Sequence, residues 1–161
     1  AKDHPAALID VLQRWDADPN EHTEWIKRRA LRTLIKAGDP RALALVGFDP
    51  PQVRVEGLAT DAPAYSLGET LTIAFTVVSV ASEPQELVID YRVHYVKANG
   101  SRRPKVFKLK NVRLAPGQRL DVIRRQHLRP ISTRRYYSGT HAVDVQVNGV
   151  VFEPVEFEFK A

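Results

Sequence analysis

Between Tyr91 and Tyr137 the chain carries fourteen lysines and arginines against one carboxylate, Asp121. The cations are Arg92, Lys97, Arg102, Arg103, Lys105, Lys108, Lys110, Arg113, Arg119, Arg124, Arg125, Arg129, Arg134 and Arg135. The whole 161-residue chain has a formal net charge of +5, so this segment holds more positive charge than the remainder cancels. A field of one sign on a folded segment calls for a partner of the opposite sign. With a sequence pI of 9.6, that partner is nucleic acid ahead of acidic lipid. The expected chemistry is recognition of phosphates.

Two stretches concentrate the donors. In the first, Asn99-Gly100 supplies a turn, and Lys97, Ser101, Arg102, Arg103 and Lys105 crowd its tip. A hairpin of this kind presents several donors to successive phosphates. Along its second strand Lys108 and Lys110 are expected to share a face with Val106, while Phe107 and Leu109 point inward. Lysines that protect an edge strand from aggregation would account for Lys108 and Lys110, but not for Arg102 and Arg103. The second stretch runs from Arg129 to Tyr137 and holds Ser132, Thr133, Arg134, Arg135, Tyr136 and Tyr137. Arginines bond phosphates and aromatic rings pack on sugars. The alternative is a crossover loop whose tyrosines fill the end of the fold and whose arginines are merely solvated.

Other chemistry is poorly served. His4, His22, His94, His127 and His141 have no spacing typical of zinc ligands, and no serine or carboxylate completes a nucleophilic pattern. No metal, no cofactor and no catalytic residue is expected. Glu156 and Glu158 alternate with Val155, Phe157 and Phe159, which reads as an exposed strand face suited to pairing with nearby lysines.

The elements that must position these groups fall into two kinds. Asp3 or His4 can cap a helix with Pro5 in its first turn and Leu8, Ile9, Leu12 and Trp15 at helical spacing, stopped by Asp16-Ala17-Asp18-Pro19. Asn20 caps a second helix, with Ile26, Ala30, Leu31, Leu34 and Ile35 on its buried side and Gly38 ending it. Asp39-Pro40 opens a third, shorter one ended by Gly47. On the other face of the second helix Trp25, Arg29, Arg32 and Lys36 form one stripe, with Lys27 and Arg28 beside it. The stripe is either a solvated helix face or a basic strip on the concave side of a solenoid. Helices with such apolar stripes need stacked neighbours to close a core. Residues 1–47 therefore read as the terminal repeat of an α-solenoid.

Residues 48–52 contain Phe48-Asp49-Pro50-Pro51, a stiff linker. Over residues 53–161 the apolar period changes to two. Seven strands are expected, at Val53–Leu58, Thr70–Val80, Glu86–Lys97, Lys105–Leu114, Leu120–Leu128, Thr140–Asn148 and Val150–Phe159. Asn148-Gly149 is the strongest hairpin signal, and Asp61–Ala64 reads as loop. The fold class is mostly β, an immunoglobulin-like sandwich preceded by helices. By analogy with antibody-type domains, His141 takes the corner position and bonds backbone, while Val143 fills the place of a cysteine.

Two sets of residues resemble one family. WIKRRALRTLIKAGDPRALALVGFDP is similar to the last HEAT-like repeat of bacterial DNA alkylation repair proteins. YVKANG, PKVFKLK, RPISTRRYY and the closing VEFEF resemble the immunoglobulin-like domain of the AlkC-type subfamily. The likeness covers nearly the whole chain. It implies a bacterial DNA glycosylase that excises alkylated purines such as 3-methyladenine in base excision repair. In that family a HEAT-like solenoid holds duplex DNA in a basic concave face. The catalytic acidic and aromatic residues sit in earlier repeats, and none is matched here. The expected partners are alkylated double-stranded DNA and the rest of a parent solenoid.

The candidate DNA contacts are Arg29, Arg32, Lys36, Lys97, Arg102, Arg103, Lys105, Lys108, Arg129, Ser132, Thr133, Arg134 and Arg135. The competing expectation is an interaction module that docks an acidic protein or its own parent. A hydrophobic content of 43% with 27% charged residues fits a folded domain rather than a disordered chain. Without cysteine there is no disulfide framework, which favours the cytoplasm. No apolar run approaches the roughly 20 residues that cross a bilayer, so no membrane is expected. A start at Ala1 and the lack of methionine fit a piece of a longer protein, acting as a monomer.

Overall fold

The computed structural model describes residues 4–15, 20–132 and 135–161. The expected cap at Asp3, the stop at Asp16–Pro19, and the candidate contacts Thr133 and Arg134 lie outside the described residues.

Among the described residues three helices come first: α1 (Pro5–Arg14), α2 (Glu21–Ala37) and α3 (Pro40–Ala44). Pro5 opens α1 without a side-chain cap from His4. Asn20 caps α2 by accepting from the Thr23 amide, and Asp39 caps α3 by accepting from Arg41 and Ala42. Ile9, Leu12, Leu31, Ala42 and Val46 form a small core, with Leu34, Ile35 and Phe48 against it. Two expectations for the helices change. Trp15 and Ile26 are 45% and 42% exposed, so neither joins that core. Lys27 is fully buried and bonds Glu24 at 3.0 Å, so it leaves the basic stripe. Three short helices cannot enclose both sides of their stripes, which leaves those two apolar residues outside while a paired lysine stem fills the inside.

Nine strands follow among the described residues: β1 (Val53–Thr60), β2 (Ala64–Ser66), β3 (Thr70–Ser79), β4 (Gln85–Val96), β5 (Arg102–Leu114), β6 (Arg119–His127), β7 (Gly139–Val147), β8 (Val150–Val151) and β9 (Val155–Lys160). A three-stranded sheet in the order β1-β3-β6 faces a six-stranded one in the order β2-β9-β7-β4-β5, with β8 paired to β7. Leu71, Ile73, Phe75 and Val77 of one sheet meet Ile89, Tyr91, Val93, Val143, Val145, Phe157 and Phe159 of the other. Nine strands replace the expected seven for two reasons. Pro154 interrupts Val150–Phe159 and separates β8 from β9. The segment read as loop around Pro63 enters a three-residue strand parallel to β9. It is anchored by Tyr65, whose buried hydroxyl donates to Asp61 at 2.6 Å. Burial first, then the Asp61 carboxylate, pushes that hydroxyl up to about 12.

A bulge in β5 changes which face its cations occupy. Ile89 pairs with Lys110 and Asp90 with Lys108, so Leu109 is an extra residue. Lys110 therefore falls on the side of Ile89, and only Lys108 stays with Val106 on the outer face. Strict alternation, which put all three together, fails at that step.

The helices meet the sandwich at the β7–β8 turn. Asn148, with φ of 43°, donates its side-chain amide to the carbonyls of Asp49 and Glu86 and accepts from the Val88 amide. One buried polar side chain thus ties the linker to β4. Gly38, at φ of 78°, ends α2, and a Cβ there would collide with the Gln146 side-chain amide. A Cβ at Gly149 would collide with the Gly38 carbonyl. Only glycine allows this close approach. The contact lies near Val88, whereas the β4–β5 turn follows Val96. Eight residues of strand, about 26 Å, separate the two ends.

Candidate nucleic-acid interface

The β4–β5 hairpin is shaped by its turn. Asn99 Oδ1 accepts from the Ser101 amide and hydroxyl, Gly100 adopts φ of 76°, and the Lys97 amide donates to the Ser101 carbonyl at 2.8 Å. Beyond the turn, pairing places Arg103 opposite Tyr95, Lys105 opposite Val93 and Phe107 opposite Tyr91. These β5 residues face the gap between the sheets, and β5 is an edge strand. Phe107 stacks on Tyr91, and the Lys105 ammonium lies 5.3 Å from the Phe107 ring centre. Across the gap, Arg124 points inward from β6, the edge of the other sheet, opposite Ile73. Inward cations at two adjacent edges block strand addition. They also leave an open basic cleft.

Residues 129–132 and 135–138 close the same end. Tyr136 turns in, packing against Tyr95 and Phe159 at 5.6 and 5.5 Å between ring centres. Beneath it His141 is 1% exposed, among Tyr95, Phe157 and Phe159. Its Nε2–H donates to the Tyr137 carbonyl at 3.0 Å, the backbone bond expected at this corner, and Val143 is buried in the core. Nδ1 has no partner, and burial holds the imidazole below its ordinary value against the raising effect of that bond. Tyr137 is half-buried, with the Arg135 guanidinium 5.6 Å from its ring centre.

Two concavities result. One, of about 610 Å³, is lined by Tyr95, Val96, Lys97, Arg103, Pro104, Lys105, Arg135 and Tyr137. The other, 260 Å³, is lined by Lys105, Phe107, Arg124, Arg125, Gln126, His127, Arg129, Ile131 and Tyr136. They share Lys105. Among the described residues no carboxylate lines either, and Lys97, Arg103, Arg124, Arg125 and Arg129 make no ion pair.

Of the residues singled out in the sequence, Lys97, Arg103, Lys105, Arg129 and Arg135 come together here. Arg102 does not. It lies on the outer face of the six-stranded sheet, bonded to Glu156 at 2.6 Å. Lys108 is on that face too, bonded at 2.8 Å to Asp90, whose carboxyl burial raises despite the lysine. Beside them Asp144 accepts from Nε and Nη2 of Arg92, at 2.7 and 2.6 Å, and lies 2.8 Å from Nε2 of His94. Ser132 is exposed and lines neither cavity. Arg29, Arg32 and Lys36 are exposed on α2, the first over the Trp25 ring at 5.3 Å, and line neither cavity. Arg124 and Arg125 were not among the expected contacts. Their adjacency in a strand, which sends one to each face, was the available signal.

No group of three or more His, Asp or Glu side chains able to hold a metal exists among the described residues. No described helix is long and apolar enough to cross a membrane.

Comparison with known proteins adds three findings. A family model described as "Uncharacterised protein YhaZ, C-terminal Ig-like domain" matches residues 54–161. The protein YhaZ of Bacillus subtilis (strain 168) is 33% identical over 159 residues, 98% of this chain and 44% of that protein. The Pseudomonas fluorescens alkylpurine DNA glycosylase AlkC, bound to DNA containing an abasic site analog, is 42% identical with a TM-score of 0.88. That match covers 99% of this chain and 45% of the glycosylase, so the chain spans less than half the length of either relative. A β-glucosidase from Listeria innocua, 19% identical with a TM-score of 0.54 over 71% of this chain and 17% of the enzyme, shares the fold alone.

Proposed function

The chain belongs to the family of the YhaZ C-terminal Ig-like domain, and from that premise we propose that it is the duplex-DNA-binding, carboxy-terminal part of an alkylpurine DNA glycosylase. In this reading it serves base excision repair of 3-methyladenine-type lesions, and the glycosylase chemistry resides in residues of the parent protein that have no match here. The helices α1–α3 act as the terminal HEAT-like repeat of the solenoid. Residues 48–52 form its linker to the sandwich.

The observation that carries the reading is the pair of basic concavities joined at Lys105. Lys97, Arg103, Lys105, Arg124, Arg125, Arg129 and Arg135 converge there with aromatic neighbours and without a carboxylate among the described residues. Such donors bond phosphate oxygens and so fix the position of DNA without reading its sequence. Arg29, Arg32 and Lys36 offer a second, smaller contact on α2. Arg102 and Lys108 contribute less, because each must leave a carboxylate to reach a phosphate.

Binding to a duplex measured over a salt series tests the proposal. Neutralising about five phosphates gives a slope of log affinity against log salt near −4.5. A flat salt response, or no binding at low salt, contradicts it.

A further inference from the structure

We propose that the larger concavity holds one unpaired nucleotide of a DNA strand, with Tyr137 as the platform for its base. This rests on the DNA-binding reading above and assigns a ligand to one part of that surface.

Its shape and its lining point the same way. The cavity lies between the β4–β5 hairpin and the 129–138 loop, with Lys97 and Arg103 on one side and Arg135 and Tyr137 on the other. At 610 Å³ it is the size of a small-ligand site, about 300–1,000 Å³. A duplex can only lie across its rim. A duplex also keeps its bases stacked inside, so it offers phosphates to the cations but no free ring to an aromatic side chain. An unpaired nucleotide offers both. Basic grooves with aromatic platforms are the common solution for single strands, since every base has a π-face.

Tyr137 is placed for that role and Tyr136 is not. Tyr136 is packed inward against Tyr95 and Phe159. Tyr137 lines the cavity, and its carbonyl is held by the buried His141. The backbone that carries the platform is therefore fixed before a ligand arrives, which lowers the ordering cost of binding. Arg135, already against the Tyr137 ring, can reach a phosphate while remaining over that ring.

The test uses the 161-residue chain with fluorescein-labelled oligo(dT) of roughly twelve nucleotides and a fully paired duplex of the same length. Tyr137→Ala should weaken oligo(dT) binding about five- to a hundred-fold, the usual loss for one stacked base. Duplex affinity should change less than about two-fold, and Tyr137→Phe should retain both, since the ring and not the hydroxyl is used. The inference is overturned if Tyr137→Ala weakens both ligands equally, or neither, or if Tyr137→Phe behaves as Tyr137→Ala does. Normal salt-dependent duplex binding alongside any of those results leaves the broader reading standing. If the unaltered chain binds neither ligand, both readings fall.

Discussion

Two cation-rich regions of this molecule use the same residue types to opposite ends. On the outer face of the six-stranded sheet Arg92, Lys108 and Arg102 each meet a carboxylate, at Asp144, Asp90 and Glu156. At the end of the sandwich Lys97, Arg103, Arg124, Arg125 and Arg129 meet none among the described residues. Cross-strand pairing accounts for two of these ion pairs, while Arg102, opposite Val96, reaches Glu156 of β9. Arg92 lies directly opposite Asp144 and Lys108 opposite Asp90, whereas Arg103 lies opposite Tyr95 and Lys105 opposite Val93. A carboxylate across the ladder turns a cation into part of the scaffold. Opposite Tyr95 and without an ion pair, Arg103 stays able to take a ligand from solution.

This contrast predicts different consequences for the two regions. The largest effect belongs to the outer face. Asp144 is 2% exposed, and Asp144→Ala leaves Arg92 partly buried without its bidentate partner. Urea unfolding should show a loss of about 3 kcal/mol, the scale for breaking a buried pair from one side. DNA affinity of the folded fraction should stay as it was. A loss below about 0.5 kcal/mol would mean that this face is no more structural than the basic end.

Acid should act on the basic end. His141 has its folded value lowered by burial, so the unfolded chain binds the proton more readily. Its contribution is complete above the unfolded value of about 6.5 and declines as pH falls from there towards the lowered folded value. One such site gives a slope no steeper than about 1.4 kcal/mol per pH unit. Denaturant unfolding from pH 7.5 to 5.5, with His141→Asn as the reference, should show this slope only in the unaltered chain. Equal slopes would mean that the burial of His141 does not couple folding to its protonation.

The alternation of Leu71, Ile73, Phe75 and Val77, and of Tyr91, Val93 and Tyr95, makes the two-layer β fold legible in the sequence. So do the turn at Asn148-Gly149 and the caps Asn20 and Gly38. What the sequence hid was mostly a matter of register. One extra residue at Leu109 moves Lys110 to the other face, and a local periodicity has no means of registering a bulge. The three residues of β2 are too few to show alternation at all. The site was half visible for the same reason. Charge density picked out the hairpin and the 129–138 loop, but which cations are neutralised depends on Asp90, Asp144 and Glu156, which are distant in sequence. Lys27 shows the rule on a helix, where a lysine counted with a basic stripe is buried against Glu24.

The most direct test of the central claim compares the salt slope of duplex binding in two double variants of equal charge. Arg103→Gln with Arg135→Gln removes two cations from the basic end. Arg102→Gln with Arg113→Gln removes two from exposed ion pairs with Glu156 and Glu86. The account predicts that the first pair makes the slope shallower by about 1.8, or 0.9 per lost phosphate contact, while the second leaves it close to that of the unaltered chain. Equal changes in both, or the larger change in the second, would contradict it.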